Sequence, residues 1–249
     1  VSARERIDVL LVERGLCESR AKAAARVLAG EVVVDDHRVD KPGTLVVCTA
    51  DIRLKGDGLK WVSRGGTKLE GALAAFVDVA AVVDGAVCVD VGASTGGFTD
   101  VLLDRGAARV YAVDVGRAQL HEKLRKDPRV VVLEQTHIKT LAVGALMPPP
   151  TLGVVDVSFI SLRLVLPAMA AHLTPTCDIV ALIKPQFEVG KEKIGKGGIV
   201  KDDADRAAAV AGVVDVAAAH GFAHNGTIPS PITGADGNVE FLAWFHRAG

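Results

Sequence analysis

Four charged residues stand where solubility alone does not call for charge. Asp156 closes an apolar run in Val155-Asp156-Val157-Ser158-Phe159, and Lys184 closes another in Leu182-Ile183-Lys184-Pro185. Lys68 lies early in a helical stretch, and Glu240 lies in Val239-Glu240-Phe241, read as part of the last strand. Each alone also reads as a solvated strand or helix end. Together, two lysines and two acids around one crevice can orient a nucleophile and exchange a proton with it.

A second motif could hold a ligand. Asp90-Val91-Gly92-Ala93-Ser94-Thr95-Gly96-Gly97-Phe98-Thr99 closes a buried strand and opens a helix. Glycines at 92, 96 and 97 allow a sharp turn and close approach of the backbone to a bound molecule. Asp114, at the next strand end, can take both hydroxyls of an adenosine ribose. These features suit either a dinucleotide or S-adenosylmethionine. The spacing is Gly-x-x-x-Gly-Gly rather than Gly-x-Gly-x-x-Gly, and Asp90 offers a carboxylate where a methionine amino group would lie. Both favour S-adenosylmethionine. The segment Glu134-Gln135-Thr136-His137 follows the third strand, where Thr136 either flanks an adenine or is an ordinary polar loop residue. Gly190-Lys191-Glu192-Lys193-Ile194-Gly195-Lys196 mimics a phosphate loop, but Gly197 stands where such a loop needs Ser or Thr.

Alternating strands and helices must position these residues. From Ala86 onward strands are predicted at 86–91, 109–114, 130–133, 153–156 and 178–183, with helices at 97–105, 118–126, 138–146, 162–173 and 202–219. In such an open sheet, ligands bind outside the carboxyl ends of the strands, so Asp156 and Lys184 should share one edge. Phe222–Ile228 and Val239–Phe245 then form two strands with no helix between. That terminal antiparallel hairpin distinguishes a Rossmann-like class I methyltransferase sheet, seven-stranded and mostly parallel, from a plain dinucleotide fold. Residues 1–55 read differently, as two short helices followed by small Val-rich strands, a compact α+β module. Residues 56–63 read as a linker, with Trp61 expected to pack between the two domains. The methyltransferase domain spans 64–249.

Bulk properties set limits. Nearly half the residues are apolar but only 4% are aromatic, as suits Ala-rich helices packed on a Val-rich parallel sheet. A net charge of −1 gives no global sign of nucleic-acid binding, so any RNA surface must be a local patch. The most apolar stretch, 71–92, is cut by Asp78, Asp84 and Asp90, so no membrane span is expected. Four scattered cysteines without a Cys-x-x-Cys pair read as reduced thiols of a cytoplasmic protein.

At this point the chain resembles a known family over nearly its whole length. It is similar to the TlyA-type (haemolysin A) ribosomal RNA 2′-O-methyltransferases, which join an S4 RNA-binding domain to an FtsJ-like methyltransferase domain. The resemblance rests on Ser63-Arg64-Gly65-Gly66-Thr67-Lys68-Leu69, the Asp90–Thr99 loop, Asp156-Val157-Ser158-Phe159-Ile160-Ser161-Leu162, Lys184-Pro185-Gln186-Phe187-Glu188-Val189-Gly190 and Gly237-Asn238-Val239-Glu240. It implies that Lys68, Asp156, Lys184 and Glu240 form a catalytic tetrad, with no metal required. Methyl transfer to a ribose hydroxyl of cytidine needs a base, and Lys184 is the candidate. Lys184 would have to be neutral, which Lys68 and a sulfonium favour and the two acids oppose. Cofactor contacts would come from Asp90, Gly92, Ser94, Gly96, Gly97, Phe98, Asp114 and Thr136.

RNA would be held by Arg4, Arg6, Arg20 and Lys41 of the S4-like module, which grip phosphates without reading sequence. Lys191 lies on a Gly-rich basic loop over the site. Phe159 either stacks on an extruded nucleotide or fills core. Ribosomal RNA or ribosomal subunits are the expected partners of a monomeric enzyme. The short end after the last strand resembles the family branch limited to the large subunit. Two rival readings are an inactive RNA-binding assembly factor and a membrane-lytic haemolysin; the intact tetrad opposes the first, and the lack of a spanning segment opposes the second.

Overall fold

The structure, a computed structural model, describes residues 4–35, 37–54, 60–195, 197–234 and 237–249. The chain divides into two compact units, 1–59 and 60–249.

In the first unit, α1 (Ile7–Glu13) and α2 (Arg20–Leu28) pack on short antiparallel strands. Ser19 caps α2, its Oγ accepting from the Lys22 N–H at 3.3 Å, as Ser at an N-cap satisfies an otherwise orphan donor. The strands β2 (Val32–Val34), β3 (His37–Val39) and β5 (Ile52–Leu54) form one sheet in the order β3-β2-β5. Sequence reading missed one strand. β1 (Arg4–Arg6) pairs antiparallel with β4 (Leu45–Val47), a polar strand with no apolar alternation to announce it. Ile7, Leu11, Val27 and Val32 are fully buried in this unit's core.

The second unit begins with α3 (Gly65–Ala75) and α4 (Val77–Ala81), then alternates β6 (Val87–Val91), α5 (Gly97–Asp104), β7 (Arg109–Val113), α6 (Glu122–Arg125), β8 (Val130–Leu133), β9 (Leu152–Val155), α7 (Leu162–Ala170), β10 (Cys177–Ile183), α8 (Pro185–Glu188) and α9 (Asp203–Ala219), and ends with β11 (Ala223–Pro229) and β12 (Phe241–Arg247). Seven strands form one sheet in the order β11-β12-β10-β9-β6-β7-β8. Six run in one direction, and β12 alone is antiparallel, inserted between β10 and β11. Both faces of the central strands β6, β7, β9 and β10 are covered, so these strands are apolar on both sides. Cys88, Val110, Val180 and Leu182 join one core with α3 and α5, whereas Val89, Val113, Ile179 and Ile183 join the other with α7 and α9. Successive residues point to opposite faces.

Local expectations shift in four places. The helix expected over 118–126 shrinks to α6 because the Glu134 carboxylate accepts from the backbone N–H groups of Ala118, Gln119 and Leu120, holding them as a loop. The helix expected over 138–146 is a single 3₁₀ turn, Ile138–Thr140. Beyond it Gly144 takes φ +84°, and Pro148, Pro149 and Pro150 follow, which stops a helix. The last strand starts at Phe241, leaving Glu240 just ahead of it.

The fourth correction is Trp61. It packs within the second unit, 4% exposed, over Gly66, where an added methyl group would lie 2.3 Å from the Trp61 ring. Its indole N–H donates to Glu70 at 3.1 Å. Lys60–Ser63, read as linker, thus belongs to this unit; positions 55–59 lie outside the described residues. Trp61→Ala is expected to cost about 3–5 kcal/mol, the usual loss for a buried indole. Denaturant unfolding checks it: a loss below about 1 kcal/mol would mean that the indole is not part of the core.

Candidate active site

The carboxyl edge of the sheet carries the site. Asp90 is the fourth residue of β6 and fully buried. Its Oδ2 accepts from the Thr99 hydroxyl at 2.6 Å, while its Oδ1 is buried with no hydrogen-bond partner. Burial, reinforced by Asp156 and Asp114 and opposed by Thr99, pushes its carboxyl up to about 7. An orphan carboxylate oxygen beside a glycine loop fits a ligand that brings a cation.

The loop itself is shaped by close approach. Gly92 has φ +84°, and a methyl group there would lie 2.3 Å from the Asp156 carbonyl oxygen. Gly97 touches the helix that carries Lys68: a methyl group would lie 2.6 Å from the Gly66 nitrogen. These glycines therefore seat the neighbouring strand and helix. Asp114 bridges the loop to its own strand end, accepting from Ser94 N–H at 2.8 Å and Gly116 N–H at 2.6 Å. Thr136 lies beside it, its N–H donating to the Asp114 carbonyl at 2.9 Å. Gly96 has φ +99° and ends the loop as the N-cap of α5. Phe98 points into the core, 3% exposed.

The four charged residues form two ion pairs at this edge. Lys184 follows β10, and its Nζ lies 2.6 Å from Asp156 Oδ1 and donates to Ser158 Oγ at 3.0 Å. Lys68, from α3, lies 2.5 Å from Glu240 Oε2, with both side chains at least nine-tenths buried. Sheet register sets these heights. Val91 pairs with Val155, Val155 with Ala181 and Ile183 with Phe241, so Asp156, Lys184 and Glu240 all emerge just beyond paired residues.

The expected RNA contacts fall on both units. In the first, Arg6 donates to Asp8 at 2.9 Å through two nitrogens and Arg20 at 3.1 Å. The Arg6 and Arg20 guanidinium groups hold the buried Asp8 carboxyl at about 2, with burial opposing them. Arg4 and Lys41 are exposed. In the second unit Phe159 is 92% exposed, which removes the core-filling reading, and its ring lies 5.2 Å from that of Phe187. Lys191 is exposed on a 3₁₀ turn.

A family model for FtsJ-like methyltransferases matches residues 61–247, and one for S4 domains matches residues 5–47. The chain belongs to the FtsJ-like methyltransferase family. An S4 domain precedes this FtsJ-like domain. YqxC of Bacillus subtilis (strain 168) is 47% identical over 249 residues, covering 100% of this chain and 88% of that protein. The 16S/23S rRNA (cytidine-2′-O)-methyltransferase TlyA of Mycobacterium tuberculosis is 49% identical over 245 residues, covering 98% and 90%. A solved structure of a hemolysin-named protein from Streptococcus thermophilus aligns with a TM-score of 0.76 at 45% identity, covering 100% and 90%. The FtsJ-like sheet and the preceding S4 domain were both legible in the sequence.

Several residues of this FtsJ-like site had no role assigned from sequence. Thr99 satisfies one Asp90 oxygen, Ser158 shares Lys184 with Asp156, and Glu134 shapes the loop after Asp114. Asn238, 3% exposed, accepts from Val200 N–H and donates to the Gly198 carbonyl, tying the Gly-rich loop to the segment that ends in Glu240. Ser158 and Asn238 stood inside quoted motifs, and their polarity beside apolar residues was the available signal.

The buried Asp90 gives a test in pH. The unfolded chain ionises this residue near 3.8 and the folded protein near 7, so between these values the folded state holds the extra proton. Rising pH therefore costs stability through Asp90. Asp90→Asn should be more stable than the parent above pH 7, with the difference shrinking towards pH 3.8. Urea unfolding across that range checks it, and a difference independent of pH would show that the carboxyl is charged throughout.

Proposed function

We propose that this protein methylates the ribose 2′-hydroxyl of a cytidine in ribosomal RNA, with S-adenosylmethionine as methyl donor. The carrying observation is Lys184, held by Asp156 at 2.6 Å and Ser158 at 3.0 Å at the sheet edge where the Asp90–Thr99 loop also opens. The names of close relatives support the substrate class.

When bound, S-adenosylmethionine supplies an electrophilic methyl group on a sulfonium. Asp90 would face its amino group through the unpartnered Oδ1, Asp114 would take ribose hydroxyls on its remaining lone pairs, and Thr136 would flank the adenine. Gly92, Ser94, Gly96 and Gly97 would line its cradle, with Phe98 supporting the loop from the core.

A ribose hydroxyl is a weak nucleophile, so its proton must leave as the new O–C bond forms. Lys184 Nζ takes that proton. Asp156 and Ser158 occupy two directions around Nζ and leave a third for the hydroxyl. Lys68 and Glu240 neutralise one another and fix the other wall. The resting Lys184–Asp156 pair must therefore release a proton to solvent before Lys184 can accept one, which the positive sulfur of a bound cofactor would favour.

Arg4, Arg6, Arg20 and Lys41 would contact phosphates, with Asp8 holding the two paired arginines in a fixed fan. Lys191 would add a contact near the site, and Phe159 would stack on the target base beside Phe187. We place the enzyme in the cytoplasm as a monomer acting on ribosomal subunits. A lytic role finds no support, because no helix among the described residues is long and apolar enough to cross a membrane.

Incubation with labelled S-adenosylmethionine and purified 30S subunits, 50S subunits or naked RNA, followed by nucleoside analysis, should yield 2′-O-methylcytidine. Label on a base atom, or none on RNA, would sink the reading. Lys184→Ala should lose about 10²–10⁴-fold in single-turnover rate while still binding S-adenosylhomocysteine. Lys184→Arg should fail almost as badly, because arginine stays protonated; a near-parental rate would leave the lysine only a charge. Replacing Arg4, Arg6 and Arg20 with Gln should weaken ribosome binding and flatten its salt dependence, and an unchanged salt slope would move the RNA face elsewhere.

A further inference from the structure

Glu188 has no part in the chemistry just described, yet its side chain is only 1% exposed. It ends α8, four residues beyond Lys184. One carboxylate oxygen accepts from the Ser161 hydroxyl at 2.6 Å and the other from the Leu162 N–H at 2.7 Å. Arg163 adds its charge at 3.9 Å, with its guanidinium laid over Gly212 of α9. Burial pushes the Glu188 carboxyl up, while Ser161, Leu162 and Arg163 oppose that shift.

Ser161 and Leu162 lie at the far end of the loop that begins at Asp156. Two segments, 156–162 and 184–188, therefore run side by side and are joined three times. Asp156 and Ser158 meet Lys184 at one end, the Phe159 and Phe187 rings meet in the middle, and Ser161 and Leu162 meet Glu188 at the other end. The catalytic join is partly open to solvent, with Asp156 20% exposed, whereas the Glu188 join is closed. Between the two, Phe159 holds φ +63°, a conformation that side-chain-bearing residues rarely adopt and that needs support from its surroundings. Charge-assisted hydrogen bonds such as those of the Glu188 join are roughly twice as strong as neutral ones.

We infer that Glu188 is a positioning residue: its carboxylate fastens the Asp156 loop to the Lys184 segment and so sets the distance between the two catalytic side chains. The inference rests on the reading of Lys184 and Asp156 as catalytic. It separates Glu188 from a simple cap of α7, since a cap would stabilise the helix without touching the rate.

The test uses the full chain with Glu188→Gln, which keeps shape but puts an amide N–H against one of the two donors, and Ser161→Ala, which removes one donor alone. Single-turnover methyl transfer to ribosomal subunits should fall about 10–100-fold for Glu188→Gln, as a misplacement on the order of 1 Å does. Affinity for S-adenosylhomocysteine and for the subunits should stay at the parental value. Ser161→Ala should lose rate in the same direction by a smaller factor, and it carries the test if Glu188→Gln does not fold. A parental rate in Ser161→Ala and in folded Glu188→Gln, with only the melting temperature lowered, would overturn the inference. No transfer by the parent protein would instead overturn the catalytic reading itself.

Discussion

Burying the Lys68–Glu240 pair is the constraint on which the rest of the site depends. An ammonium and a carboxylate leave water only if each finds the other, because the desolvation penalty is several kcal/mol per ion. Here the two meet at 2.5 Å with both side chains at least nine-tenths buried. They come from opposite ends of the unit, Lys68 from α3 and Glu240 from just before β12. Bringing them together requires α3 to lie against the glycine loop, which Gly97 and Gly66 permit by close backbone approach. It also requires the turn before β12 to be fixed, which Asn238 and the Ser230 N–H bond to the Glu240 carbonyl provide. A buried pair of this kind rarely repays its desolvation in stability.

The sheet solves the remaining geometry with register alone. Adjacent strands β6, β9, β10 and β12 bring four residues to one edge: Asp90 one residue before the end of β6, Asp156 and Lys184 just after β9 and β10, and Glu240 just before β12. Because β12 runs antiparallel to β10, its first residues rather than its last meet that edge. The terminal hairpin therefore does more than fill the sheet: it delivers the second acid of the site from the opposite chain direction. The orphan oxygen of Asp90 and the Ser158 hydroxyl are small additions to this frame, each placed by a single hydrogen bond.

The sequence was most legible where burial is two-sided. Val-rich runs such as Val87–Val91 and Cys177–Ile183 admit little but central parallel strands, and the glycine loop and Lys184 segment follow from where those strands stop. It was least legible where a distant side chain overrides local preference. Residues 118–121 have helical composition, but the Glu134 carboxylate captures three of their N–H groups. Trp61 looked like a bridge between domains because nothing local shows that Gly66 leaves room for its ring. The pairings themselves, Lys184 with Asp156 and Lys68 with Glu240 rather than the reverse, have no signature in spacing at all.

The buried pair is expected to hold its place at the site while contributing little to folding. A double-mutant cycle on Lys68 and Glu240, read by urea unfolding, tests this most directly. Lys68→Met alone and Glu240→Leu alone should each destabilise by about 3–5 kcal/mol, since each strands an uncompensated charge. The double variant should recover to near the parental stability and still transfer no methyl group. Losses that simply add, leaving the double variant the least stable of the three, would contradict it: the two residues would then contribute to the fold independently, and the pairing would not be what holds the site.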